Sequence, residues 1–367
     1  MHLLASIKDE LQRISQSPWD LLMVAVVPLC LLLLFGSIFL SGKPEHLAVG
    51  IVDEDKSQFS QTIIHHITHN QSLAPIRQIN THTAHNAIND LSIGGFLYIP
   101  KGAETRLVNG DDTGMYIATN QSFYSTGNNV SGALNRSVQS AALAYLAHDH
   151  ARNLLPNSDL RTPKVKLSIL FNPNLSYELF LEPFVVIASL HLLLCCLVAF
   201  SLGALLHKTP TPSLSAIWAS VLVYVLIICL WTWLWQAWLI NVRGVGVVGS
   251  GLLLIVAQVL LYSAYALLAA TVVLRTKSAS KSFGILAVYG GSSLSFAGIS
   301  LPLNNATAFT QVWSNLLPFT HFARLQTEQW LMGSPLAVSL PHLGILVLFN
   351  VLFGTMVILL HKKILTP

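Results

Sequence analysis

The 367 residues are 53% hydrophobic and only 10% charged, with a formal net charge of +4. A soluble globular chain carries about 25% charged residues, so an ordinary soluble protein is excluded; with no basic stripe interleaved with aromatics, so is nucleic acid as a partner. All sixteen acids except Glu328 lie at or before Glu182, and apolar runs fill the second half, as lipid demands when a charge at mid-bilayer costs about 2.5–3.5 kcal/mol or more.

Residues 1–19 form an amphipathic stretch, with Leu4, Ile7, Leu11 and Ile14 at helical spacing and Lys8, Asp9, Glu10 and Arg13 on the other faces. It predicts a short helix lying on the cytoplasmic surface. A first span follows over 20–40, its apolar run reaching from Leu21 to Leu40. The run exceeds the core of about 7–15 residues of a cleaved signal peptide and no small-x-small site follows it, so it reads as an uncleaved anchor.

Residues 41–177 read as an external α/β domain. Strands are predicted at 47–52, 74–80, 95–100, 115–119 and 165–171, and helices at 57–70, 81–91 and 128–155, with Ser57 as an N-cap. Such alternation favours a sheet covered by helices. Five more spans are predicted over 178–367: 180–206, 214–240, 247–274, 283–300 and 343–360. Between the last two, 301–342 is broken by Pro302, Pro318, Pro335 and Pro341 and predicts short helices in the outer leaflet. The fold class is thus an α-helical integral membrane protein of six spans, with an α/β extracytoplasmic domain inserted between spans one and two.

Near the span ends, Lys8, Arg13, Lys208, Arg275, Lys277, Lys281, Lys362 and Lys363 lie on one side, against Arg243 and Arg324 on the other. The contrast places both termini in the cytoplasm. The ten Lys and Arg of the external domain do not weigh against this, because long domains translocate largely regardless of charge.

No G-x-x-x-x-G-K-[ST] loop is present, and Gly42-Lys43 runs into Pro44. The chain itself is expected to bind no cofactor, and ATP, if used, belongs to a separate chain. His65 and His69 could share a metal on one helix face, but without an H-E-x-x-H pattern they read as a polar face, and no metal site is expected. Glu178 and Glu182 share a face at the outer end of the second span, as favourable charge at a helix N-terminus. Trp231, Trp233, Trp235 and Trp238 read as an interfacial belt, Arg324 and Glu328 as an i, i+4 pair, and His191 as a satisfied core histidine. Cys30, Cys195, Cys196 and Cys229 sit in apolar runs and read as packing residues, with no disulfide framework.

Four stretches in this order resemble the ABC-2 type permease family of ABC exporters. They are Lys8-Asp9-Glu10-Leu11 with Arg13 leading through Pro18 into the first span, and Val49-Gly50-Ile51-Val52-Asp53-Glu54-Asp55. The others are Gly95 to Gly102 followed by FNPNLSYELFLEP at 171–183, and Ser300-Leu301-Pro302 through Trp313 and Pro318 to Gly333. The resemblance implies export, with a cytoplasmic ATP-binding subunit and a second permease subunit in a homo- or heterodimer. It further implies a bacterial inner membrane, a periplasmic domain, and work with a periplasmic adaptor and an outer-membrane channel. The substrate expected is an amphipathic or hydrophobic molecule such as a drug or lipid. ATPase coupling falls to Lys8, Glu10, Arg13, His207 and Lys208, and substrate exit to Glu178, Glu182, Pro302, Trp313 and Pro318. One departure stands out: between the second and third spans only residues 207–213 remain, without the family's longer acidic-basic segment and its Gly-Thr. A non-transporting scaffold or receptor is the alternative. A membrane hydrolase lacks any nucleophile–base pattern.

Overall fold

The computed structural model describes residues 2–40, 45–78, 80–120, 124–147, 180–299, 303 and 306–365. Two compact units emerge, Met1–Leu40 with Ile169–Pro367, and Ser41–Ser168.

The first unit is helical. Helix α1, His2–Gln16, is followed by α2, Pro18–Ile38, then α7, Glu182–Lys208, α8, Leu214–Val242, and α9, Gly251–Thr276. Next come α10, Ala279–Gly291, α11, Ser293–Phe296, α12, Ala308–Asn315, α13, Pro318–Gln326, and α14, Leu336–Leu365. Among the described residues, five helices are long and apolar enough to cross a membrane: α2, α7, α8, α9 and α14.

The predicted fifth span, 283–300, is not one such helix. It is divided at Ser292 into α10 and α11. The 13 residues of α10 cover about 20 Å, less than the hydrocarbon thickness of about 30 Å. Gly290, Gly291 and the serines that follow are poor helix formers, and they fall where the break occurs. The last span also differs, starting at Leu336 rather than Leu343 and carrying Pro341 inside the helix. Pro318 stands in the first turn of α13, where a missing N–H costs nothing.

Helix α2 contains a π-turn at Leu22–Val26 just before Pro28. Proline has no N–H, so the Val24 carbonyl loses its ordinary helical donor. The Trp231 indole of α8 supplies one at 2.8 Å. The core of this unit is built from α7, α8, α9 and α13, with Phe184, Leu194, Tyr224, Tyr262, Tyr265, Phe319 and Trp330 all buried.

The second unit holds a four-stranded sheet: β1, Leu47–Asp53; β2, Leu73–Arg77; β3, Gly95–Ile99; and β4, Tyr116–Thr119. The order is β2-β1-β3-β4, with β1 parallel to β2 and β3, and β4 antiparallel to β3. Its helices are α3, Gln58–Thr68, α4, Thr81–Asn89, α5, Ala103–Asn109, and α6, Tyr124–Ala147. Side chains alternate along the strands. Val49, Ile51, Leu97 and Ile99 pack with Phe59, Ile63 and Leu134 of α3 and α6, while Val52 and Phe96 pack with Ala84 of α4. Ser57 caps α3 by accepting the Ser60 N–H. The sequence reading missed α5, and the strand it placed at 165–171 lies outside the described residues.

Asp53, which closes β1, and Asp55, two residues on, have structural work. Asp53 Oδ1 accepts the Asp55 and Lys56 N–H groups, and its Oδ2 accepts Ser60 Oγ at 3.0 Å. Asp55 accepts the N–H of Gly102 at 2.6 Å and of Glu104 at 3.1 Å, at the start of α5. Burial raises the Asp55 carboxyl, but the Ser57 hydrogen bond and these backbone donors outweigh it and leave it below its ordinary value.

Candidate functional site

Glu10 and Arg13 lie one helical turn apart on α1, so they share a face. Their face is turned inward. Arg13 Nε and Nη2 fork onto Glu10 Oε2 and Oε1 at 3.2 and 2.8 Å. Arg13 Nη1 reaches Asp20 Oδ2 of α2 at 3.0 Å. Nη2 also donates to Ser201 Oγ of α7 at 3.1 Å and to the Tyr224 hydroxyl of α8 at 2.7 Å. Ser201 Oγ donates in turn to Glu10 Oε1 at 2.7 Å. One guanidinium therefore joins four helices.

Water is mostly excluded, with the Glu10 and Asp20 side chains 11% and 9% exposed and that of Arg13 27%. Burial alone would raise the Glu10 carboxyl. The hydrogen bonds from Arg13 and Ser201 and the Arg13 charge outweigh it, and the carboxyl ends below its ordinary value. Burial alone would lower Arg13, but Glu10 and the neighbouring charges hold it above its ordinary value.

Around this clamp the same end of the unit gathers other elements. Helix α1 packs along α8, and Ser6 Oγ donates to Ser215 Oγ at 3.2 Å. Ser213 caps α8 by accepting the Ala216 N–H. His361 of α14 holds the Pro212 carbonyl at 2.9 Å. The short 207–213 segment is thus pinned from α14 and borders α1. Lys8, His207 and Lys208 are exposed. Of the five residues expected to couple, three point outward and two, Glu10 and Arg13, point into the bundle. Exposed Leu4 and Leu11 flank Lys8 on α1, while Ile14 is buried.

Of the residues expected at the other side, the three described ones, Glu182, Trp313 and Pro318, each have different surroundings. Glu178 and Pro302 lie outside the described residues. Glu182 is fully buried and accepts the Trp235 indole N–H at 3.3 Å. Trp313 donates to Ser292 Oγ at 3.1 Å and meets the Tyr289 ring edge-on. Pro318 is buried at the start of α13.

The tryptophans of α8 also tie helices together. Trp231, Trp233 and Trp235 donate to Val24 O, Gln258 Oε1 and Glu182 Oε1, each on another helix, while Trp238 lies under the Arg243 guanidinium. His191 is a core residue, its ring nitrogens 3.3 Å from the Ile187 and Gly290 carbonyls. Arg324 and Glu328 are not paired. A π-turn at Thr327–Met332 follows α13 and alters the i, i+4 spacing, and Glu328 instead faces His342 at 3.3 Å and Ser339 at 2.6 Å. No group of three or more metal-ligating side chains occurs among the described residues.

No curated protein and no solved structure matches the chain. A family model described as an ABC-2 family transporter protein matches residues 18–359. That range takes in the α/β unit and the spanning helices up to the last two turns of α14, and it starts just after α1. The chain is a multi-pass membrane protein of the ABC-2 transporter family, in the permease role rather than as an enzyme.

Proposed function

We propose that the chain is the permease subunit of an ATP-driven exporter, moving an amphipathic or hydrophobic molecule outward across a bacterial inner membrane. ATP is hydrolysed by a separate cytoplasmic subunit, and a second permease chain, identical or related, completes the path. In this reading α10 and α11 complete a sixth crossing, both termini are cytoplasmic, and the α/β unit is periplasmic, where an adaptor and an outer-membrane channel would meet it. The basic residues near the span ends support that orientation.

The observation that carries the proposal is the Arg13 clamp. A helix that merely rested on the surface would not need a guanidinium joined to one carboxylate and two hydroxyls on three other helices. A push on the exposed side of α1 would pass directly to α2, α7 and α8, which suits a rigid-body rearrangement. The ATPase would bear on Lys8 and on His207 and Lys208, and substrate would leave near Glu178, Glu182, Pro302, Trp313 and Pro318.

The test is to purify the C-terminally tagged chain from native membranes in mild detergent and identify its companions. Recovery of a P-loop protein, lost when Lys8, His207 and Lys208 are replaced together, supports the reading. Recovery of this chain alone, beside a control exporter that keeps its ATPase, overturns it in favour of a scaffold.

A further inference from the structure

A pocket of about 560 Å³ opens in the helical unit beside α11, α13 and the start of α14. That volume falls in the usual small-molecule range of about 300–1,000 Å³. Its walls are largely apolar and include Phe180, Ile299, Leu303 and Met332, and two charged side chains, Arg324 and Glu328, also line it.

The two charges are not equivalent. Both oxygens of Glu328 are engaged, Oε1 with His342 and Oε2 with Ser339. Arg324 is exposed, and among the described residues it makes no ion pair. It is also the only Lys or Arg between Lys281 and Lys362. The π-turn that carries Glu328 out of the i, i+4 relation leaves the guanidinium open at the mouth of an apolar pocket. A guanidinium presents paired N–H groups that match carboxylate, phosphate or sulfate oxygens. A cationic ligand would have to take Glu328 from the partners it already has.

We propose that this pocket binds an amphiphile with a single anionic head, the head on Arg324 and the alkyl part against the apolar walls. As a substrate site it rests on the exporter reading, whereas the binding itself does not. The pocket would then select by sign of charge, accepting anionic amphiphiles and refusing cationic ones of the same chain length.

The test uses the purified full chain in discs of zwitterionic phosphatidylcholine and a dansyl-labelled undecanoic acid as probe. Saturable binding is expected, displaced by dodecyl phosphate and not by dodecylammonium. Arg324→Ala weakens it by about tenfold or more, the loss expected for a charged hydrogen bond, Arg324→Lys restores part, and Lys363→Ala, an exposed charge elsewhere, changes nothing. Binding unchanged in Arg324→Ala, or equal displacement by the ammonium compound, overturns the proposal. Arg324→Gln, checked for a monodisperse elution profile, covers the case in which the alanine variant fails to fold. Discs containing phosphatidic acid separate the two sources of such a head. Loss of the probe there assigns the site to a membrane lipid, and retention assigns it to a single-chain amphiphile. Failure here with the ATPase still co-purifying removes this pocket assignment alone, and a lost ATPase with binding intact removes export alone.

Discussion

Replacing Arg13 with alanine should undock α1. The substitution leaves Glu10 and Asp20 as two carboxylates, 11% and 9% exposed, without their shared cation. Breaking a buried pair from one side commonly costs about 3–5 kcal/mol. The carboxylates limit the loss by taking up protons. At pH 7, protonating Glu10 from its ordinary 4.5 costs about 3.4 kcal/mol, at 1.36 kcal/mol per pH unit. A loss of about 3 kcal/mol is therefore expected. Amide hydrogen exchange across residues 2–16, in discs at pH 7, reads it directly. Protection should fall by about two decades, since 1.4 kcal/mol is a factor of ten. Arg13→Lys should recover only part, because a point charge cannot fork onto Glu10 while reaching Asp20 and Tyr224. Arg13→Ala combined with Glu10→Gln should exchange more slowly than Arg13→Ala alone. Exchange within threefold of the parent in Arg13→Ala would refute the clamp.

The Asp55 carboxyl is held below its ordinary value of 3.8 in the folded chain, so its contribution is present above that value and disappears as the pH falls through the lower folded one. Asp55→Ala should weaken α5 by about 1–2 kcal/mol, as lost caps do, and exchange across residues 102–109 should rise at neutral pH. In the parent the same rise should come only on acidification below about pH 4. Trp231→Phe keeps an aromatic ring and removes the donor to Val24, at a cost of about 0.6–1.7 kcal/mol for the hydrogen bond, read as a lower thermal midpoint in detergent. Gly249→Ala would drive a Cβ into Gln329 Oε1 and to 2.9 Å from its carbonyl oxygen. It should cost about 1–3 kcal/mol by overpacking, read in the same thermal assay.

Local signals in the chain were legible and long-range ones were not. Apolar runs marked α2, α7, α8, α9 and α14, and Ser57 announced α3, because length, hydropathy and a cap are written within a few residues. Helix α5 escaped because its seven residues lie between Gly102 and Gly110 with no periodicity to read. The division at Ser292 escaped because neither a charge nor a proline interrupts residues 283–300. Glu10 and Arg13 were recognisable as special, but their inward aim was not, since Ser201 and Tyr224 are distant in sequence. The indole partners of α8 were hidden for the same reason: an aromatic cluster near a span end looks alike whether its N–H groups meet headgroups or neighbouring helices.

The Arg13 clamp also sets an order of events during synthesis. Ser201 and Tyr224 lie 188 and 211 residues after Arg13. At roughly 5–20 residues per second, the ribosome needs about 10–40 s to supply them. For that interval the newborn N-terminal helix has no α7 or α8 to dock on, and only Glu10 and Asp20 can neutralise the arginine. The first span must therefore enter the membrane with its preceding helix still outside the bundle. Closure of the clamp is a late step of assembly, one that waits for the third span.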